Sequence, residues 1–496
     1  MNSAKPVFFA TLLGIITLAG LLLFKGREPD KTAGGELVFH CAAGLRLPVS
    51  EIVENYEEEF GITVRPHFAG SGELASQLEV AGGDLYLPAD VSYIKSTREK
   101  GLVQEAIPAT YLTAGLVVAK GNPKNIRTIA DLAKKEVRVS LANPSAAIGK
   151  FTKKVLAGVG QWDGIEANAT VFKFTVNDIA QDVSTGAADA AIVWDAVAGL
   201  FENLDFVHLP EFDQRRKTAT VGVLQSSHHP TMALKFARYL TSSDRGLLSF
   251  AKHGFDVVDG DPWDPYPEIK LFSGSMLRPA IEQQLRLFEE REGVRVLSEY
   301  EGCGTLVSMM NAGATPDAYF SCDLQFLDQV QDRFEKGTVV AKNDMVLVVK
   351  KGNPKQLTGL KDLLRSDLKV GLAHAQKSAL GKLSNDLLTK RGLLKDLEST
   401  GNIEILASKG DELANQMQLG ALDAAIIYRS NALSSDQILE QCEIIELAKD
   451  AYATQPYAVH RKTPHKQLLL RLEQFLTGTE GKAQFLKYGF HWKLAP

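Results

Sequence analysis

The chain has 496 residues, 45% hydrophobic and 23% charged, an ordinary globular composition that excludes a disordered or fibrous protein. Its length exceeds one ordinary core and points to about two to four domains. Formal net charge is −5 with no long basic run, which disfavours nucleic acid as a partner.

Residues 6–24 form an uncharged apolar run of about the length a helix needs to cross a bilayer. Lys5 precedes the run, as in a signal sequence. No cysteine follows it to take a lipid, and the small-x-small sequence Thr17-Leu18-Ala19 lies inside it. An uncleaved membrane anchor is therefore expected rather than a cleaved, soluble periplasmic form. Lys25 and Arg27 blur the positive-inside rule, and residues 26–35 read as a short flexible tether. Cys41, Cys303, Cys322 and Cys442 show no CxxC or metal-ligand spacing. They indicate no disulfide framework, leave a single bridge open and do not fix the compartment.

From residue 36 onward one unit occurs twice. Residues 45–60 pair with 276–292, each a helix with a proline near its first turn, Pro48 and Pro279. Ile52, Tyr56 and Phe60, and then Ile281, Leu285 and Phe288, give the buried stripes. Residues 68–90 (FAGSGELASQLEVAGGDLYLPAD) return as residues 300–323. KGNP, a Gly-Lys pair, GAADAAIVW against GALDAAIIY, and HGF against YGF follow in the same order. The offset stays between 231 and 235 residues, so the domain is duplicated. The domains expected are residues 36–258 and 268–496, after a segment 1–35 and joined by a stiff proline-rich linker 259–267.

Within each copy, β-rich runs alternate with helical ones, which argues for parallel sheets flanked by helices, an α/β class. The pattern restarts after KGNP, so each copy reads as two lobes. In such sheets ligands sit at the carboxyl ends of the strands. Gly70-Ser71-Gly72 before a helix offers N–H groups and the positive end of a helix dipole to an anion. An N-cap without ligand is the plainer reading of that turn.

The strand–turn Ala42-Ala43-Gly44-Leu45, FAGSGELASQLE, GDLYLPAD, the helix start near Gly149, the AAIVW strand and the terminal HGF or YGF occur in this order twice. That order resembles the periplasmic molybdate-binding proteins, the receptors of ATP-driven oxyanion importers, over nearly all of both copies. The resemblance implies two tandem bilobal domains of the type II periplasmic-binding fold, each closing on a tetrahedral dianion. It also implies five pocket positions per copy. A serine after the first strand falls at Gly44 and Ser275, and the serine of the turn at Ser71 and Cys303. Main-chain donors fall at Ile148 and Leu380, and at Ile179 and Leu413. The tyrosine hydroxyl falls at Trp194 and Tyr428. Neither copy has the full hydroxyl set.

A dianion leaving water needs many donors, and neutral oriented dipoles supply them without a titrating charge. Loss of one hydroxyl costs on the order of 1–3 kcal/mol, about ten- to a hundredfold in affinity. Plainer readings stand beside these: Gly44 as a tight turn, Trp194 as core filling, Cys303 as a small buried residue. Arg46 and Arg278, at non-equivalent places in the alignment, read as anion donors or as ordinary surface residues. His228-His229 reads as a solvated pair. No nucleophile–base set, Walker loop or metal cluster is evident, so an enzyme is not expected, nor a cofactor.

The reading is a membrane-tethered, extracytoplasmic receptor that captures molybdate or tungstate, sulfate next, for an ABC permease. Its rivals are a sensor or protein-binding scaffold with degenerate pockets, and a receptor for another small anion or organic ligand.

Overall fold

The computed structural model describes residues 35–493. Among these, no helix is long and apolar enough to cross a membrane. The apolar run at residues 6–24 lies outside the described residues.

The first domain holds two sheets. Six strands form the first lobe, in the order Asp256–Val257, Val103–Leu112, Lys217–Leu224, Leu85–Leu87, Glu36–Ala42, Thr63–Ala69. Five form the second, in the order Ala169–Lys173, Val139–Ala142, Ala190–Trp194, Ala114–Ala119, Leu204–Val207. The strands leading into helices pair in parallel, and the strands that cross between lobes pair antiparallel. In the second domain one 13-residue strand, Thr338–Lys350, runs through both lobes and joins their sheets into one of ten strands. The first domain breaks that strand after Leu112 and resumes it at Ala114.

The duplication reaches small devices. Helices Arg46–Phe60 and Arg278–Glu292 both end at a glycine in the left-handed region, Gly61 and Gly293, where an L side chain is strained. The Glu57 and Glu289 carboxylates then accept from Val64 and Val296 N–H at 2.8 and 2.7 Å, fixing where the next strand starts. In all four lobes an aspartate just before an inner strand accepts from a neighbouring strand. These are Asp84 from Val38, Asp189 from Arg138, Asp317 from Lys270 and Asp423 from Lys369, at 2.8, 2.8, 2.8 and 2.9 Å. The buried apolar residues form one core cluster per domain.

The linker is pinned on both sides. Trp263 packs edge-on against Tyr239 and Phe60 of the first domain. The Asp261 carboxylate accepts from Gln467 and Leu468 N–H at 2.8 and 2.9 Å, capping helix Lys466–Thr477 of the second. Arg291 adds a two-pronged ion pair to Glu105 across the junction.

Candidate functional site

Three helices begin at the cleft of each domain. They are Ser71–Ala81, Ala147–Gly158 and Val176–Ser184 in the first, and Cys303–Asn311, Ala379–Lys390 and Gly410–Gln418 in the second. The residues before them are Gly70, Ala146, Thr175, Gly302, Ser378 and Lys409, and only the Thr175 side chain caps its helix. The first-turn N–H groups of the other five therefore have no side-chain acceptor from the N-cap. That is the arrangement an anion cradle requires.

The repeated Gly-x-Gly turn is where the lobes touch. A Cβ on Gly70 would stand 2.8 Å from Phe174 O, and one on Gly72 2.2 Å from Ser145 O. In the second domain, Gly302 would meet Ser408 O at 2.4 Å and Gly304 would meet Gln376 O at 2.0 Å. Only a residue without a Cβ lets the opposite lobe approach so closely. Gly72 N–H donates to Ser145 O at 2.9 Å, and Thr305 N–H to Lys377 O at 3.0 Å. Both domains are closed.

In the first domain, Ala42, Ala43, Gly44, Ser71, Ala147, Ile148, Val176 and Trp194 help line a cavity of about 20 Å³. That is room for about one water, not for the five heavy atoms of a tetrahedral oxyanion. Trp194, 1% exposed, stacks on Phe151 at 5.9 Å between ring centroids. A Cβ on Gly44 would meet Val176 Cγ1 at 2.9 Å, and Val197 and Trp194 lie just beyond. Asn177 Nδ2 adds a cross-lobe bond to Ala43 O at 3.0 Å. Apart from Ser71 and Thr175, the residues lining the pocket are apolar.

The second domain is polar at the same positions. Tyr428 stands where the first domain has Trp194, each closing the same inner strand. Ser430 and Asn431 replace Ala196 and Val197 in the turn that follows. Met345 pairs with Tyr428 as Ala114 pairs with Trp194, which sets Asn343 against Leu112. Gln455 takes the register position of Ala219. Tyr428 Oη, Ser430 Oγ, Asn343 Nδ2, Asn431 Oδ1 and Gln455 Oε1 are all buried without a hydrogen-bond partner. Burial, with the Asp323 charge added, pushes the Tyr428 hydroxyl well above the usual tyrosine range, so it stays a neutral donor.

The sequence family described as "Bacterial extracellular solute-binding protein" matches residues 37–256 and again 269–491. The chain belongs to that family. Molybdate-binding protein ModA of Mycobacterium tuberculosis is 29% identical over 244 residues, 47% of this chain and 91% of that protein. ModA of Escherichia coli is 24% identical over 233 residues, 45% of this chain and 90% of that one. Among solved structures, the chain is similar to the Azotobacter vinelandii periplasmic molybdate-binding protein, at 17% identity and TM-score 0.39, covering 45% of this chain and all of that one. The sulfate-binding protein SubI of Mycobacterium tuberculosis has 17% identity and TM-score 0.39, covering 45% and 86%.

Four residues expected at the first site of this solute-binding protein, Gly44, Ser71, Ile148 and Trp194, line one cavity; Ile179 does not. Ile179 and Leu413 are the fourth residues of their helices and fully buried. The N–H groups free at a helix start precede that position; Val176 and Gly410 are the first residues of these helices. Gly44 is not the equivalent of Ser275. The turns Ala43–Leu45 and Ser275–Leu277 superpose at an offset of 232 (275 minus 43), which pairs Ser275 with Ala43. Arg46 and Arg278 are equivalent after all, each the first residue of its helix and each over an aromatic ring, Phe68 or Tyr300.

Cys303 is not a lone small residue. It forms a disulfide with Cys322, so its sulfur has no S–H to offer a ligand. Ser275 and Leu380 lie buried on opposite lobes of the second cleft. The contrast between copies marks four further residues that are visible in the sequence: Asn343, Ser430, Asn431 and Gln455 are polar where the first copy is apolar.

Proposed function

We propose that this protein is an extracytoplasmic receptor whose second domain captures a tetrahedral oxyanion and delivers it to an ABC permease. Molybdate or tungstate is the first choice and sulfate the next; molybdate is what the ModA relatives are named for. The observation that carries the reading is the Tyr428 hydroxyl, buried without a partner where the first domain has an indole. A buried hydroxyl left unpaired costs about 1–3 kcal/mol, and an anion bridging the lobes removes that cost. Ser275, the N–H groups that open the helices at Cys303, Ala379 and Gly410, and Tyr428 form the donor set. Each lobe contributes, so the dianion stabilises the closed state. Such a site binds and releases; it calls for no catalytic group. The apolar run at residues 6–24 would hold the receptor at the membrane.

A second reading applies to the first domain. Its cleft is filled by Trp194, Val176 and Val197, and it is tied shut by its own bonds. It serves as a closed scaffold beside the binding domain rather than as a second receptor.

Titration calorimetry with molybdate, tungstate, sulfate and phosphate tests both readings. One site per chain is expected, abolished by Ser275→Ala with Tyr428→Phe. Absence of heat with all four anions would sink the oxyanion reading, and two sites per chain would sink the scaffold reading.

A further inference from the structure

We propose that the Cys303–Cys322 disulfide is a thiol–disulfide exchange site that sets the anion affinity of the second domain; this rests on the oxyanion reading above. The two copies show how the bond is built in. In the first domain Ser71 Oγ accepts from Ala89 N–H at 3.2 Å, tying the start of one cleft helix to the loop after the strand Leu85–Leu87. The equivalent residues are Cys303 and Cys322, and there the tie is covalent. A third position changes with them. Ala42 becomes Gly274, where a Cβ would stand 2.3 Å from Cys322 Sγ and 3.2 Å from Cys303 Sγ. Three positions thus differ together: two supply the sulfurs and the third makes room for the bond.

The bond lies inside the cleft wall. Cys303 opens the helix Cys303–Asn311, and Gly274 directly precedes Ser275, so both flanks of the bridge are donor positions. Reduction turns one bonded pair into two thiols, which must separate to van der Waals contact. The slot is closed by Gly274 on one side, so the helix start or the Ser275 turn must give way. Either shift misplaces donors, so the oxidised form is the tighter binder.

Access follows the lobes. Both sulfurs are buried, and Gly302 lies beneath Ser408 O and Lys377 O of the second lobe. Opening the cleft uncovers the bridge; an anion holding the cleft shut shields it. Coupling between two sites is reciprocal, so a ligand favoured by the oxidised form also protects the disulfide. The reductant is a dithiol. Its thiolate attacks one cysteine sulfur to give a mixed disulfide and frees the other cysteine; its second thiol then displaces the remaining cysteine. The protein gains two thiols and the reductant leaves as a disulfide. Cys41 and Cys442 are buried free thiols and take no part.

The test uses the full-length protein, molybdate as ligand and dithiothreitol as dithiol. Calorimetry of the reduced form is expected to show about tenfold or more weaker binding than the oxidised form. Saturating molybdate should slow the loss of the disulfide, read by thiol alkylation and mass spectrometry. Cys303→Ser combined with Cys322→Ala should bind molybdate with an affinity that dithiothreitol does not change. Equal affinities for the oxidised and reduced forms, or a reduction rate that molybdate leaves unchanged, would overturn this proposal alone. Absence of heat from the oxidised protein with molybdate, tungstate, sulfate and phosphate alike would overturn the oxyanion reading and this proposal with it.

Discussion

Arg238 of the first domain donates to the Glu292 carboxylate of the second at 3.2 Å, and Arg471 holds the same carboxylate at 2.7 and 3.1 Å. Glu292 is 1% exposed, so this is a buried Arg–Glu–Arg set at the seam between domains. Such a set contributes little net stability over an apolar one, but losing one partner strands the others. Glu292→Ala leaves two guanidiniums facing each other in the seam. It is expected to cost about 3–5 kcal/mol in urea unfolding, and a variant within about 0.5 kcal/mol of the parent would show the seam is wetter than described.

The same carboxylate predicts acid sensitivity. Burial pushes its carboxyl up, yet Arg471 and Arg238 outweigh burial and hold it below the usual glutamate value of 4.5. A folded pKa lower than the unfolded one gives stability that is present above 4.5 and lost as pH falls through the folded value. Unfolding midpoints taken at falling pH should therefore drop below that point in the parent and less in Glu292→Gln. Parallel pH profiles for the two proteins would contradict the assignment.

Tyr428→Phe separates stability from function. The hydroxyl has no partner in the folded domain, so removing it should stabilise the ligand-free protein by about 1–3 kcal/mol. The same change should weaken molybdate binding by about ten- to a hundredfold. Thermal unfolding and calorimetry on one preparation read both effects. A variant that loses stability would mean the hydroxyl already has a partner.

The duplication, the α/β class and the paired lobes were legible because they are carried by periodicity and by motifs met twice. The pocket was less legible. Trp194 and Tyr428 announced their difference directly, since both end the same short strand. Ser275 was set against Gly44 because a proline, Pro48 or Pro279, sits at different depths in two helices that superpose residue for residue. Ile179 and Leu413 come from the resemblance alone; each is the fourth residue of its helix, and the N–H groups free at a helix start precede that position. Cys303 and Cys322 lie 19 residues apart, a spacing no sequence rule singles out. Gly70 and Gly72 looked like loop residues, and only the opposing carbonyls explain why both lack a side chain.

Asp411 is expected to give the proposed second site a pH response. It is the second residue of the helix Gly410–Gln418, where the first domain has Asn177. Burial raises its carboxyl above the usual aspartate range, against the pull of Lys409 and Arg278 and with Glu412 and Glu301 adding to the push. A carboxylate at the start of a cleft helix repels a dianion, so affinity should rise as pH falls and Asp411 takes up its proton. Asp411→Asn should bind molybdate several-fold more tightly at neutral pH and lose most of that pH dependence. An unchanged pH profile would place the carboxylate too far from the ligand to matter.

The glycines that let the lobes meet distinguish the two clefts. Gly304→Ala sets a Cβ 2.0 Å from Gln376 O, and Gly72→Ala sets one 2.2 Å from Ser145 O. Each clash is with a backbone carbonyl, which no rotamer change can relieve, so each variant wedges its own domain open. In the proposed function, closure brings donors of both lobes onto one anion. Gly304→Ala should therefore weaken molybdate binding by about a hundredfold, while Gly72→Ala should open the first domain in small-angle scattering and leave the affinity alone. If Gly72→Ala also weakens binding, the first cleft shares in capture, and its filled pocket must open more readily than Trp194, Val176 and Val197 suggest.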